Sequence, residues 1–126
     1  MLTRKKVDHF EKLTGQLTGI HDELSALAKK TPNDAVNLFK LKFVNAVLTQ
    51  CNELLGSDYR PFGDFKEFDA DTLPSNSDVT FIASQYLQAL EKFRSDNVIQ
   101  SKTGWWVYAV KDGEEIRAAP PAKLER

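Results

Sequence analysis

An α+β fold, mostly α, follows from three features of the 126-residue sequence. The first third carries a heptad-spaced apolar seam, two later apolar segments begin with helix-start residues, and an alternating stretch near the C-terminus contains a turn dipeptide. The predicted architecture is a three-helix bundle with a C-terminal β-hairpin, in a single domain over residues 1–126.

The first helix spans about residues 4–30. Phe10, Leu17 and Leu24 recur every seven residues, as do Leu13, Ile20 and Leu27, which makes an a/d seam. Gly15 and Gly19, inside LTGQ-LTGI, fall off the seam and each costs about 1 kcal/mol relative to alanine. They are expected to mark a bend or the close approach of another backbone. The seam is read as packing within the chain, with pairing to a second copy or another protein as the alternative. His9 and His21 flank it and are read as solvated, because twelve residues of separation do not place two metal ligands on one helical face.

The second helix is predicted over about 32–55. Thr31 is a cap, Pro32 suits the first helical position, Asp34 favours the positive end of the dipole, and Gly56 is a C-terminal stop. Its apolar residues, from Val36 and Leu38 to Leu54 and Leu55, cover more than one stripe, which places this helix at the centre of the fold. Cys51 lies among them and reads as a small buried hydrophobe, since nothing nearby supplies the base a catalytic thiol needs.

Residues 57–74, SDYRPFGDFKEFDADTLP, form a long connection. Tyr59, Phe62, Phe65 and Phe68 recur every three residues among acids: Asp58, Asp64, Glu67, Asp69 and Asp71 outweigh Arg60 and Lys66. Folding of these rings onto the core is the expected arrangement, with a recognition surface for a basic partner as the alternative. Ser75 to Asp78 then start the third helix, about 77–95, whose Val79, Ile82, Tyr86, Leu90 and Phe93 make one buried stripe.

GWWVYAVKDGEEIRAAPP, residues 104–121, supplies the hairpin, about 104–118. A two-residue turn at Asp112-Gly113 sets Val107 opposite Ala118 and Tyr108 opposite Arg117. Trp105, Val107, Ala109, Ile116 and Ala118 then share the core face. Trp106, Tyr108 and Arg117 share the wet one, with Arg117 over Tyr108 as a cation–π contact; packing of Trp106 and Tyr108 under a third strand or the aromatic loop is the expected arrangement, and contact with a partner the alternative.

Composition narrows the function classes. A hydrophobic content of 41% with 28% charged residues fits a globular chain and excludes a disordered one. The formal net charge of −1 argues against a strongly basic nucleic-acid binder. One cysteine permits no intramolecular disulfide and fits a reducing compartment. The start, MLTRKKVDHFEKL, lacks the apolar run of a secretory signal, and no segment is long and apolar enough for a membrane span, so a cytoplasmic location is expected. The sequence contains no GxGxxG, P-loop, GxSxG or HExxH pattern, and the acids of 57–74 do not match the EF-hand order.

The reading is a small non-catalytic interaction protein without cofactor or metal. It binds a protein partner, or itself as a homodimer, through Trp106, Tyr108 and Arg117, with Tyr59, Phe62 and Phe65 as a second surface. One alternative is a weak nucleic-acid binder in which Trp106 and Tyr108 stack on bases while Arg4, Lys5, Lys6, Lys102 and Arg117 meet phosphates. Another is an enzyme using the loop carboxylates Asp64, Glu67 and Asp69.

Overall fold

A computed structural model describes residues 2–111 and 113–122. Helix α1 (Arg4–Lys30) fills the span its heptads predict. The Thr3 hydroxyl caps it by accepting from the Lys6 amide, and Lys29 and Lys30 occupy the last turn, where cations suit the helix dipole. Val7, Phe10, Leu13, Leu17 and Leu24 are buried, with Ile20 and Leu27 partly buried beside them. The seam is satisfied within the chain, mainly against α3 (Asn76–Asp96). Gly15 and Gly19 mark neither a bend nor a close approach: the helix is continuous, and a Cβ at either position meets nothing within 4 Å.

Helix α2 (Leu38–Tyr59) starts later than its sequence signals suggest. Thr31 closes α1 instead, its amide and hydroxyl both donating to the Leu27 carbonyl. Residues 32–34 turn, with Asp34 N–H donating to the Thr31 carbonyl (3.3 Å), and the chain stays out of the helix because another segment takes its backbone groups. Val36 N–H donates to the Pro74 carbonyl (2.9 Å), Asn76 N–H to Asp34 (2.9 Å), and Ser77 N–H to Pro32 (3.0 Å). The helix begins at Asn37, whose side chain accepts from the Lys40 amide. Gly56, at φ +66°, supplies the left-handed residue expected of a helix stop, yet one more turn follows to Tyr59.

Nor is α2 enclosed on all sides. Leu41, Val44, Val47, Leu48, Cys51, Leu54 and Leu55 face the core, but Leu38, Phe39 and Phe43 stand in solvent. The most intimate helix pair is α1 with α3, and α2 lies against that pair. Helix α3 starts with a capping box: Ser75 Oγ accepts from the Asp78 amide and the Asp78 carboxylate accepts from the Ser75 amide, both at 3.1 Å. At its far end Arg94 ties down the tail, donating to the carbonyls of Ala119 (2.7 Å) and Pro120 (2.9 Å) while paired with Glu91.

The sheet consists of β1 (Val98–Gln100) antiparallel to β2 (Trp106–Tyr108), with Ile99 opposite Val107. Residues 116–118 line the other edge of β2 through Tyr108 N–H to the Ile116 carbonyl and Ala118 N–H to the Trp106 carbonyl, both 2.9 Å. Val107 therefore faces Arg117 and not Ala118, one residue away from the expected register. The return connection is longer than two residues: Gly113, at φ +73°, ends a turn by donating to the Val110 carbonyl. Lys111 N–H is drawn to the Leu2 carbonyl (2.8 Å). Asp112, the other half of the expected turn dipeptide, lies outside the described residues.

Candidate functional site

The one-residue shift places Ile116 and Ala118 on the side of Trp106 and Tyr108, because side chains alternate faces along a strand; on the other side Trp105 is exposed, while Val107 stays buried as expected. The side of Trp106 and Tyr108 packs against the helices. Tyr108 is 4% exposed and Trp106 is partly buried, whereas Trp105 is 55% exposed. Arg117 sits over Trp105, its guanidinium carbon 3.8 Å from the ring centroid, and not over Tyr108. Burial pushes the Tyr108 hydroxyl up to about pKa 12. A ring so enclosed offers no face to a base, and this removes half of the stacking pair that nucleic-acid binding requires.

The loop rings expected at a second surface are likewise turned inward. Tyr59 stacks edge-on against Phe93 with centroids 5.2 Å apart, and its hydroxyl donates to Asp96 Oδ2 (2.8 Å), which raises its pKa. Phe65 lies between Phe68 and Tyr86, and Phe62 is partly exposed near Phe81. Phe93 also meets Phe10, which meets Tyr108. The two expected surfaces thus meet through the core: Tyr108, Phe10, Phe93 and Tyr59 form one chain of rings.

Two asparagines of α2, seven residues apart and so on one helical face, fix the loop. The Asn45 amide clamps Phe68 twice, donating to its carbonyl and accepting from its N–H, both at 2.9 Å. Asn52, 6% exposed, donates to the Lys66 carbonyl (3.1 Å) and accepts from the Tyr86 hydroxyl (2.7 Å). A polar group buried this deeply needs such partners, and here they are the backbone of an irregular segment. The acids Asp64, Glu67, Asp69 and Asp71 remain in water along its outer side.

The pinned loop makes one wall of a groove of about 730 Å³, and the start of α2 makes the other. Leu38, Phe39 and Lys42 line the helix side, and Glu67 and Ala70 line the loop side. Phe39 is 73% exposed, Leu38 60% and Phe43 52%; the two rings meet edge to face at 5.1 Å. Large apolar side chains scattered singly on a surface are ordinary, but three within six residues, two of them lining the groove, form a patch. The sequence carried a signal for it, since α2 has more apolar residues than one buried face accommodates.

A smaller cleft of about 320 Å³ lies on the outer side of the sheet, beside Ile99, Val107 and Glu115. Cys51 is fully buried, and burial pushes its thiol up to about pKa 12, far from the thiolate a nucleophile needs. Among the described residues no group of three or more His, Cys, Asp or Glu stands close enough to hold a metal ion, and no helix is long and apolar enough to cross a membrane. No protein-family model, curated protein or solved structure matches the chain.

Proposed function

We propose that this chain is a non-catalytic protein-interaction domain that binds its partner through the exposed start of α2. One observation carries the reading: Leu38 and Phe39, each more than half exposed, line a groove whose far wall is held in place by Asn45, and the exposed Phe43 ring packs against Phe39. Keeping apolar surface of that size in water is unfavourable by about 25 cal/mol per Å², and a partner that covers it recovers that free energy. A wall fixed before binding also reduces the ordering cost of association. The acidic loop contributes to this surface through Glu67 and Ala70 and not through its rings. We place the domain in the cytoplasm, a reading supported by a single cysteine that is buried.

Site-specific photo-crosslinking in the native cells tests the proposal. A photoreactive phenylalanine analogue at position 39 is expected to form a discrete protein adduct. The same analogue at Lys12, on the exposed side of α1, is expected to form none. Equal labelling from both positions, or none from position 39, overturns the reading.

A further inference from the structure

We infer that the occupant of the α2 groove is a second copy of this chain, related by a two-fold axis that passes near Phe39 and Phe43; the inference rests on the docking role just proposed. Charge complementarity favours a second copy. The apolar lip is bordered by both signs, Lys42 on the helix wall and Glu67 on the loop wall of the same groove. The neighbouring base is already used, as Lys40 Nζ lies 3.0 Å from Glu23 Oε2. Lys42 makes no ion pair among the described residues and rests its Nζ 5.9 Å from the Phe43 ring centroid. Glu67 likewise makes none among the described residues.

A foreign partner has to present an acid and a base, in the right order, on either side of an apolar ridge. This chain already presents that arrangement. In an isologous contact each element meets the partner copy's complement, so one geometric match is used twice. With α2 antiparallel to its symmetry mate, Lys42 of one copy faces Glu67 of the other, and the reciprocal pair forms at the same time. Phe39 of each copy enters the groove of the other beside Leu38. The formal net charge of −1 per chain adds little repulsion between copies. The two ion pairs, at the rim of an apolar centre, set register and orientation more than they set affinity.

Sedimentation velocity over a concentration series, on the purified full chain, decides the matter. The wild type is expected to show a reversible monomer–dimer equilibrium. Phe39→Asp is expected to be monomeric with an unchanged circular dichroism spectrum, because an acid in the first turn of a helix suits its dipole. Lys42→Glu and Glu67→Lys, taken singly, are expected to weaken the dimer about tenfold or more, since each places like charges across both symmetric contacts. The combined reversal Lys42→Glu/Glu67→Lys is expected to return it to near the wild-type constant. A monomeric wild type overturns the inference, as does a dimer that survives Phe39→Asp or a double reversal no tighter than the singles. The crosslink from position 39 then separates the two claims. An adduct with a different protein sinks the second copy and leaves the docking role standing, and no adduct removes both.

Discussion

Helices α1 and α2 are both rich in apolar residues, and they use them differently. In α1 the apolar positions form a seam, and every one named in its heptads is buried or partly buried against its own chain. In α2 one face is buried to the same degree while Leu38, Phe39 and Phe43 are left in water. The apolar count of a helix therefore does not measure how many neighbours it has. A surplus over what one face accommodates is compatible with a central helix, and equally with a helix that keeps a second apolar face for something outside the chain.

The widest separation between the two helices is in stability. Leu17, fully buried in α1, is expected to cost about 2–5 kcal/mol when changed to alanine, through lost transfer energy and the cavity left behind. Phe39→Ala on α2 is expected to stay within about 0.5 kcal/mol in dilute solution, because the ring already stands in solvent. Urea unfolding of both variants measures the contrast. A Phe39→Ala penalty near that of Leu17→Ala breaks it, and with it the exposed groove. Asn52→Ala comes next. It leaves the Tyr86 hydroxyl buried without its acceptor and releases the Lys66 carbonyl, at an expected cost of about 1–3 kcal/mol.

Alkaline pH probes the buried side of both helices together. Cys51 on α2 and Tyr108 against α1 are each pushed up to about pKa 12, from ordinary values of 9.0 and 10.0. The native state therefore holds both protons more tightly than the unfolded chain does. Their stabilising contribution is complete below about pH 9 and declines as pH rises towards 12. Melting temperatures are expected to fall over that window, and Tyr108→Phe is expected to flatten the decline. Smaller and opposite in sign is the response of α1's idle outer face. Gly15 and Gly19 are helical and exposed, and neither has a close neighbour, so alanine at either is expected to stabilise by about 0.5–1 kcal/mol. A loss on either substitution reveals a contact on that face.

The contrast also explains how far the fold was legible. The heptad seam of α1 and the capping box of α3 are local patterns, and both elements form where those patterns lie. Thr31 to Asp34 carries an equally local helix-start pattern, yet the backbone of Pro74 to Ser77 takes those groups, and no local pattern announces a pairing some forty residues distant. The groove was half legible: the surplus apolar residues of α2 were plain, while the wall opposite them depends on Asn45 and Asn52 reaching an irregular segment. The hairpin register was not legible. Setting Val107 opposite Arg117 groups Trp106, Tyr108, Ile116 and Ala118 on one uncharged face, but the two-residue turn gives an equally uncharged face with Trp105, Val107 and Ala109, so polarity alone does not choose between them.

The smallest expected effect is spectroscopic and tests that register directly. The chain has two tryptophans, so Trp105→Phe leaves Trp106 as the only indole and Trp106→Phe leaves Trp105. Trp106 packs against the core beside Ile116 and Ala118, and its emission is expected to be blue-shifted and poorly quenched by acrylamide. Trp105, more than half exposed under the Arg117 guanidinium, is expected to emit further to the red and quench readily. The stacked cation contributes about 0.5–1 kcal/mol at an exposed site, so Arg117→Ala is expected to alter Trp105 quenching with little change in melting temperature. The opposite assignment, with Trp105 shielded and Trp106 open, requires Val107 to face Ala118 and returns Trp106 and Tyr108 to the solvent side of the sheet. In that register the hairpin, like the start of α2, leaves apolar surface in water. In the observed one its Trp106–Tyr108 face is spent on the fold, while Leu38, Phe39 and Phe43 of α2 stay in solvent.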